Sequence, residues 1–180
     1  MENSRIRPRA VSHLQWLNSL PNDQAVTELK SCCGSSRWAA EVVSHRPFTT
    51  IGRLIDVATE AWWQLEPADW LEAFRSHPKI GQKKAATSTS GQSKAWSRTE
   101  QSGMREASAE TAAALAKLNE DYEARFGHIF IVCATGKSSE EMLAILRERL
   151  ENEPDDELQI AAAEQAKITE LRLKKLIDSP

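Results

Sequence analysis

The chain has 180 residues, the length of one domain with a core of useful size. Its 23 Lys and Arg against 26 Asp and Glu leave a net charge of −3, which argues against a nucleic-acid groove or a polybasic membrane patch. No apolar run is long enough to span a bilayer.

Helix signals follow one another along the chain. Asn22 is placed to cap a helix through Gln24–Ser31, with Gly34 as its stop. Ser35 or Ser36 caps a second helix holding Trp38, Val42 and Val43, which Pro47 ends. From Thr49 the residues Ile51, Leu54, Ile55, Ala58, Trp62 and Leu65 recur at helical spacing. Pro67 suits the first position of the next helix, which must stop near Ser76 because Pro78 disfavours helical geometry just before it. Residues 82–97 are polar, small and lysine-bearing, and predict a long surface loop. A long helix is then expected from about Arg98 to Phe126, closed by Gly127. The run IFIVCAT predicts a strand or a buried extended segment; its periodicity does not choose between them. Ser138 or Ser139 caps a further helix, and a last one spans about Asp155–Ile177. The fold expected is all-α, about eight helices in a single domain over 1–180.

The six Trp supply large surfaces to bury. Cys32, Cys33 and Cys133 make neither a disulfide framework nor a zinc pair, so a reducing compartment fits. No apolar stretch follows the basic start MENSRIRPRA, and the chain ends Asp178-Ser179-Pro180 rather than in a peroxisomal signal. A cytoplasmic location is expected.

Four segments can carry chemistry. In SHPKIG, His77 stands at a helix end beside Pro78, and its intrinsic pKa suits proton transfer near neutrality. Alone, it reads equally as a helix C-cap. In WSRTEQ, Ser97 and Glu100 match a capping box, where each side chain satisfies a backbone donor. The same pair closes the polar loop that begins just after His77, which would bring both segments to one cleft. In FGHIFIVCATGKS the final GKS is no P-loop, because Ile131 stands where the first glycine is needed. An irregular run there would leave backbone amides for an oxygen-rich ligand. His128 is at best a rim residue, and no metal-ligand spacing links it to His77. Finally Gln165, Ile168, Arg172 and Leu176 share one helical stripe, and a guanidinium beside an apolar face suits a carboxylate. Arg147, Arg149, Lys174 and Lys175 read as solvated charges.

CCGSSRW with RPF, HPKIG, W-S-x-x-E-Q, NEDYEARFG, FIVCATGKS and LRLKKL occur here together and in order. In this the chain resembles the 2-oxo-4-hydroxy-4-carboxy-5-ureidoimidazoline (OHCU) decarboxylases, over nearly its whole length. The resemblance implies His77 and Glu100 as catalytic residues. It implies substrate contacts from Pro78, Ser97, the stretch Ile129, Phe130, Ile131 and Val132, and Arg172 on a carboxylate. It further implies cofactor-free conversion of OHCU to (S)-allantoin at the end of urate oxidation, with no metal, no nucleic acid, no membrane and a homodimeric assembly. Two rival readings stay open: a helical binding protein with His77 and Glu100 as mere caps, and a His/Glu hydrolase acting on a ureide ring. Separation of the two side chains in space would favour the first, and absence of carbon dioxide release the second.

Overall fold

The computed structural model describes residues 13–80, 91–100, 102 and 107–178. Among them are nine helices and no strand: α1 (His13–Ser19), α2 (Asn22–Cys32), α3 (Ser36–Ser44), α4 (Ile51–Trp63), α5 (Pro67–Arg75), α6 (Gly91–Glu100), α7 (Ala109–Phe126), α8 (Ser139–Arg149) and α9 (Pro154–Asp178). Ser35, Thr50 and Ser108 each accept a hydrogen bond from a backbone N–H of the helix they open. Ser138 and Glu141 form a reciprocal capping box at the start of α8. Pro67 opens α5, and Gly127 ends α7 at φ 74, a left-handed conformation open to glycine. Asn22 differs from expectation: it is the first residue of α2 behind Pro21, and its Oδ1 accepts from Arg46 at 2.6 Å.

Helix α9 packs against α1, α2, α4, α5 and α7. Its inner stripe, including Ala161, Gln165, Ile168, Arg172 and Leu176, is buried. Three tryptophans fill the core, and each indole N–H donates to a backbone carbonyl: Trp38 to Ala58 at 2.9 Å, Trp62 to Ala162 at 3.0 Å and Trp70 to Trp62 at 3.1 Å. Those bonds let the rings contribute their area with no polar atom stranded.

Residues 129–134 are extended but pair with no strand. The segment is a partition between two apolar clusters. Ile131 and Cys133 enter the larger cluster, with Trp38, Trp62 and Phe74; Phe130, Val132 and Ala134 enter the smaller, with Leu115, Tyr122 and Met142. Alternate side chains of an extended chain point to opposite faces, so burial on both sides explains a continuous apolar run. Side chains replace the missing ladder. Cys133 N–H donates to Glu164 at 2.7 Å, Lys137 donates to the Cys133 carbonyl at 2.7 Å, and Arg149 donates to the Ile131 carbonyl at 2.6 Å. Arg149 is therefore no solvated charge. It is 5 % exposed and paired with the buried Glu157, to which Tyr122 also donates.

The region before α7 departs most from expectation. The expected loop 82–97 is helical from Gly91 onward, and the expected single helix Arg98–Phe126 is two helices, α6 and α7. Residues 82–90 lie outside the described residues. Ser108 supplies the second start, capping α7 by accepting from Thr111 at 3.0 Å. Ser97 and Glu100 thus lie in the last turns of a helix and form no capping box.

Candidate active site

Helix α5 ends at Arg75, and the His77 N–H still reaches the Phe74 carbonyl at 3.0 Å before Pro78 stops the helix. The turn between α2 and α3 presses on this end. A Cβ on Gly34 would lie 2.4 Å from both Cβ and Oγ of Ser76, the residue before His77. No methyl group fits there without moving the backbone that carries the imidazole. Gly34→Ala is expected to lower stability by about 1–3 kcal/mol, as overpacking does, and to lower kcat as well. Urea melts and steady-state kinetics check both; wild-type values in each would show that Ser76 yields freely.

Ser97 and Glu100 face α9. Arg172 donates from Nε to Glu100 Oε1 at 3.0 Å, and from one terminal nitrogen to Glu100 Oε2 at 2.8 Å and Ser97 Oγ at 3.0 Å. Lys175 Nζ stands 3.5 Å from Glu100 Oε1. Ser97 and Glu100 border an open cleft. His77, Pro78, Ser97 and Glu100 line it together with Phe130, Ile131 and Val132. The two polar motifs and the extended run therefore meet at one place.

Two residues expected here are positioned differently. Ile129 packs against the larger apolar cluster and does not line the cleft. Arg172 lies one layer back, 1 % exposed, behind Ser97 and Glu100. His128 is a core residue, stacked among Phe74, Tyr122 and Phe126, with Nδ1 3.1 Å from the Ile129 carbonyl. Ile80, Ala134, Thr135, Ile168 and Leu171 complete the lining. Ile80, Ala134, Thr135 and Leu171 stand inside the motifs HPKIG, FIVCATGKS and LRLKKL but are not among the expected site residues, and Ile168 has its place on the stripe of α9 as its signal. Among the described residues no cluster of His, Cys, Asp and Glu could hold a metal ion.

The charges are set by burial and by Arg172. Burial pushes His77 down to about 3, with the nearby Arg172 charge acting in the same direction and Glu100 and Gln165 opposing. The imidazole is therefore neutral at pH 7. Burial works to raise Glu100, but its hydrogen bonds to Arg172 and the charges of Arg172 and Lys175 outweigh that and hold it below the usual carboxylate range. Burial pushes the Cys32 and Cys33 thiols up to about 12, so neither is a nucleophile at neutral pH. A cleft with a neutral base, an ionised carboxylate and two cations behind it can bind an anion and move a proton.

The low pKa of His77 has a thermodynamic consequence. Below pH 6.5 the unfolded chain takes a proton on His77 that the folded chain refuses until about pH 3, so this group lowers stability as pH falls through that window. His77→Asn lacks the effect. The variant should lose less stability than wild type between pH 7 and pH 4, and parallel losses in denaturant titrations would contradict a buried neutral imidazole.

The chain matches the OHCU decarboxylase family over residues 18–174. It is 44% identical over 158 residues to the uric acid degradation bifunctional protein TTL of Arabidopsis thaliana, covering 83% of this chain and 46% of that protein. It therefore spans about half the length of that relative. It is 37% identical over 151 residues to the 2-oxo-4-hydroxy-4-carboxy-5-ureidoimidazoline decarboxylase of Amia calva, covering 79% of this chain and 81% of that one. A crystal structure of OHCU decarboxylase in the presence of (S)-allantoin superposes with a TM-score of 0.73 at 42% identity, covering 84% of this chain and 98% of the other. By sequence match and by shared fold, the chain belongs to the OHCU decarboxylase family.

Proposed function

We propose that the chain is a carboxy-lyase that converts OHCU to (S)-allantoin in urate degradation, with His77 as its acid–base group. The observation that carries this reading is the cleft: a neutral imidazole and an ionised carboxylate line the same pocket. The substrate bears a carboxylate and a hydroxyl on one ring carbon next to a C=N bond. When the carbon–carboxylate bond breaks, carbon dioxide leaves, the bond's electron pair moves into the ring, the C=N nitrogen takes a proton from solvent, and an enol results. The enol becomes allantoin by losing the hydroxyl proton and gaining one at the adjacent carbon.

Each step has a group here to serve it. His77 is neutral and so free to accept the hydroxyl proton and return one to carbon. Glu100 and Ser97 border the same space. The Arg172 and Lys175 cations stand beside Glu100 at this end of the cleft, a placement that favours the substrate's carboxylate. Family resemblance assigns that carboxylate to Arg172 directly. The described hydrogen bonds of its fork go to Glu100 and Ser97, so a direct contact requires those bonds to exchange. Protonation from the one face that His77 occupies accounts for a single enantiomer.

Incubation with freshly generated OHCU, followed by circular dichroism with carbon dioxide trapping, tests the reading. Rapid formation of (S)-allantoin with one equivalent of carbon dioxide is expected. Ring opening without carbon dioxide would establish the hydrolase alternative instead. The substrate carries its own electron sink, so exhaustive chelation should leave the rate unchanged; loss on chelation with rescue by a divalent ion would overturn a metal-free mechanism. The same proposal includes a cytoplasmic location, supported by three free buried thiols, and a homodimer, supported by family resemblance. Cell fractionation and light scattering test these.

A further inference from the structure

Gln165 lies on α9 two helical turns before Arg172, on the same buried stripe, and is 0% exposed. Its Nε2 donates to Thr169 Oγ1 at 3.1 Å. Its Oε1 is buried without a hydrogen-bond partner. Such an acceptor costs about 1–3 kcal/mol when left unmet, so an unpartnered one in a core calls for an explanation. Among the described side chains, two other buried polar atoms share this condition, Arg46 Nε and His77 Nε2.

His77 Nε2 and Gln165 Oε1 are chemical complements. One can carry a hydrogen, and the other can only accept one. The two residues are also neighbours, since the Gln165 amide bears on the imidazole and favours its protonated form. Neither atom meets another partner of normal hydrogen-bond geometry. A bond between them would satisfy both atoms at once.

We propose that Gln165 is a positioning residue for His77: its Oε1 accepts the hydrogen on Nε2, fixing that tautomer and leaving Nδ1 to exchange the proton with substrate. This rests on the reading of His77 as the acid–base group. A neutral amide suits the task better than a carboxylate. It orients the ring and steadies the imidazolium that forms during turnover, yet brings no charge to hold the resting ring protonated. Thr169 anchors the far end of the amide, so the side chain is held at both ends once the bond to His77 closes.

The test combines imidazole nitrogen NMR with kinetics on the whole protein. In wild type at pH 7, His77 should be neutral with its hydrogen on Nε2. Gln165→Met keeps the shape and removes the acceptor. That variant should lose the tautomer preference, and its kcat should fall about 10–100-fold, the scale of a misplaced catalytic group. KM should stay within about twofold, because binding groups are untouched. Gln165→Glu places a carboxylate against the ring, so the acid limb of its kcat/KM profile should move up towards neutral pH. A hydrogen on Nδ1 in wild type would overturn the proposal, as would a Gln165→Met variant with wild-type tautomer and kcat. An acid limb unmoved in Gln165→Glu would do the same. Should Gln165→Met fail to fold, the wild-type tautomer and the Gln165→Glu profile still decide. The NMR arm uses no substrate, so it separates failure of this proposal from failure of the decarboxylase reading.

Discussion

His77→Asn should fold like wild type and turn over OHCU about 10²–10⁴-fold more slowly, the usual worth of a positioned acid–base group. The stability half of this expectation comes from the ring's surroundings. A histidine at a helix end stabilises the helix dipole only when cationic, and even then by about 0.3–1 kcal/mol. Burial keeps His77 neutral at pH 7, so that contribution is missing. Asparagine at this position keeps a short polar side chain for the neighbouring Gln165 amide, so little hydrogen bonding is lost there. The catalytic half comes from the same facts. A neutral imidazole on a cleft wall has a nitrogen lone pair open to a substrate proton, which a cationic ring lacks. A thermal melt within a few degrees of wild type together with a collapsed kcat is the expected pattern. Turnover within tenfold of wild type would remove His77 from the chemistry and revive the helical binding protein.

The features legible in the sequence were those set by local physics. Ser35, Pro67, Gly127 and Ser138 act at helix ends through their own side chains or backbone, and they do so where the sequence places them. The IFIVCAT run showed its burial but not its pairing, because a segment covered on both faces has the same composition with or without a ladder. Ser97 and Glu100 misled for a different reason. Their spacing serves a helix start, but it also puts two side chains one turn apart on one face, and here that face meets Arg172 across α9. No local pattern tells a box at the beginning of a helix from a pair near its end. Arg149 was missed likewise, since its partners Glu157 and the Ile131 carbonyl are brought to it by tertiary packing.

That correction reverses the expectation for Glu100→Gln. In a capping box the amide would serve nearly as well as the acid, and the variant would be as stable as wild type. In the structure Glu100 is the counter-ion of an arginine that is 1 % exposed. Glutamine keeps one acceptor oxygen but turns an N–H₂ towards a guanidinium that can only donate. Breaking a buried pair from one side typically costs about 3–5 kcal/mol, because the remaining charge is stranded. Lys175, only partly exposed and close to the same carboxylate, adds a second cation to the repulsion. Glu100→Gln should therefore melt well below wild type. At temperatures where it stays folded it should still be slow, since His77 loses the neighbouring anion that favours its protonated form. The double variant Glu100→Gln with Arg172→Met should recover much of the stability, because no charge is then left buried alone, and none of the activity. Urea titration of the single and double variants measures both effects. A single variant within about 1 kcal/mol of wild type would fall to the scale of an exposed ion pair, and would mean that Glu100 and Arg172 do not form the buried couple on which the cleft's charge depends.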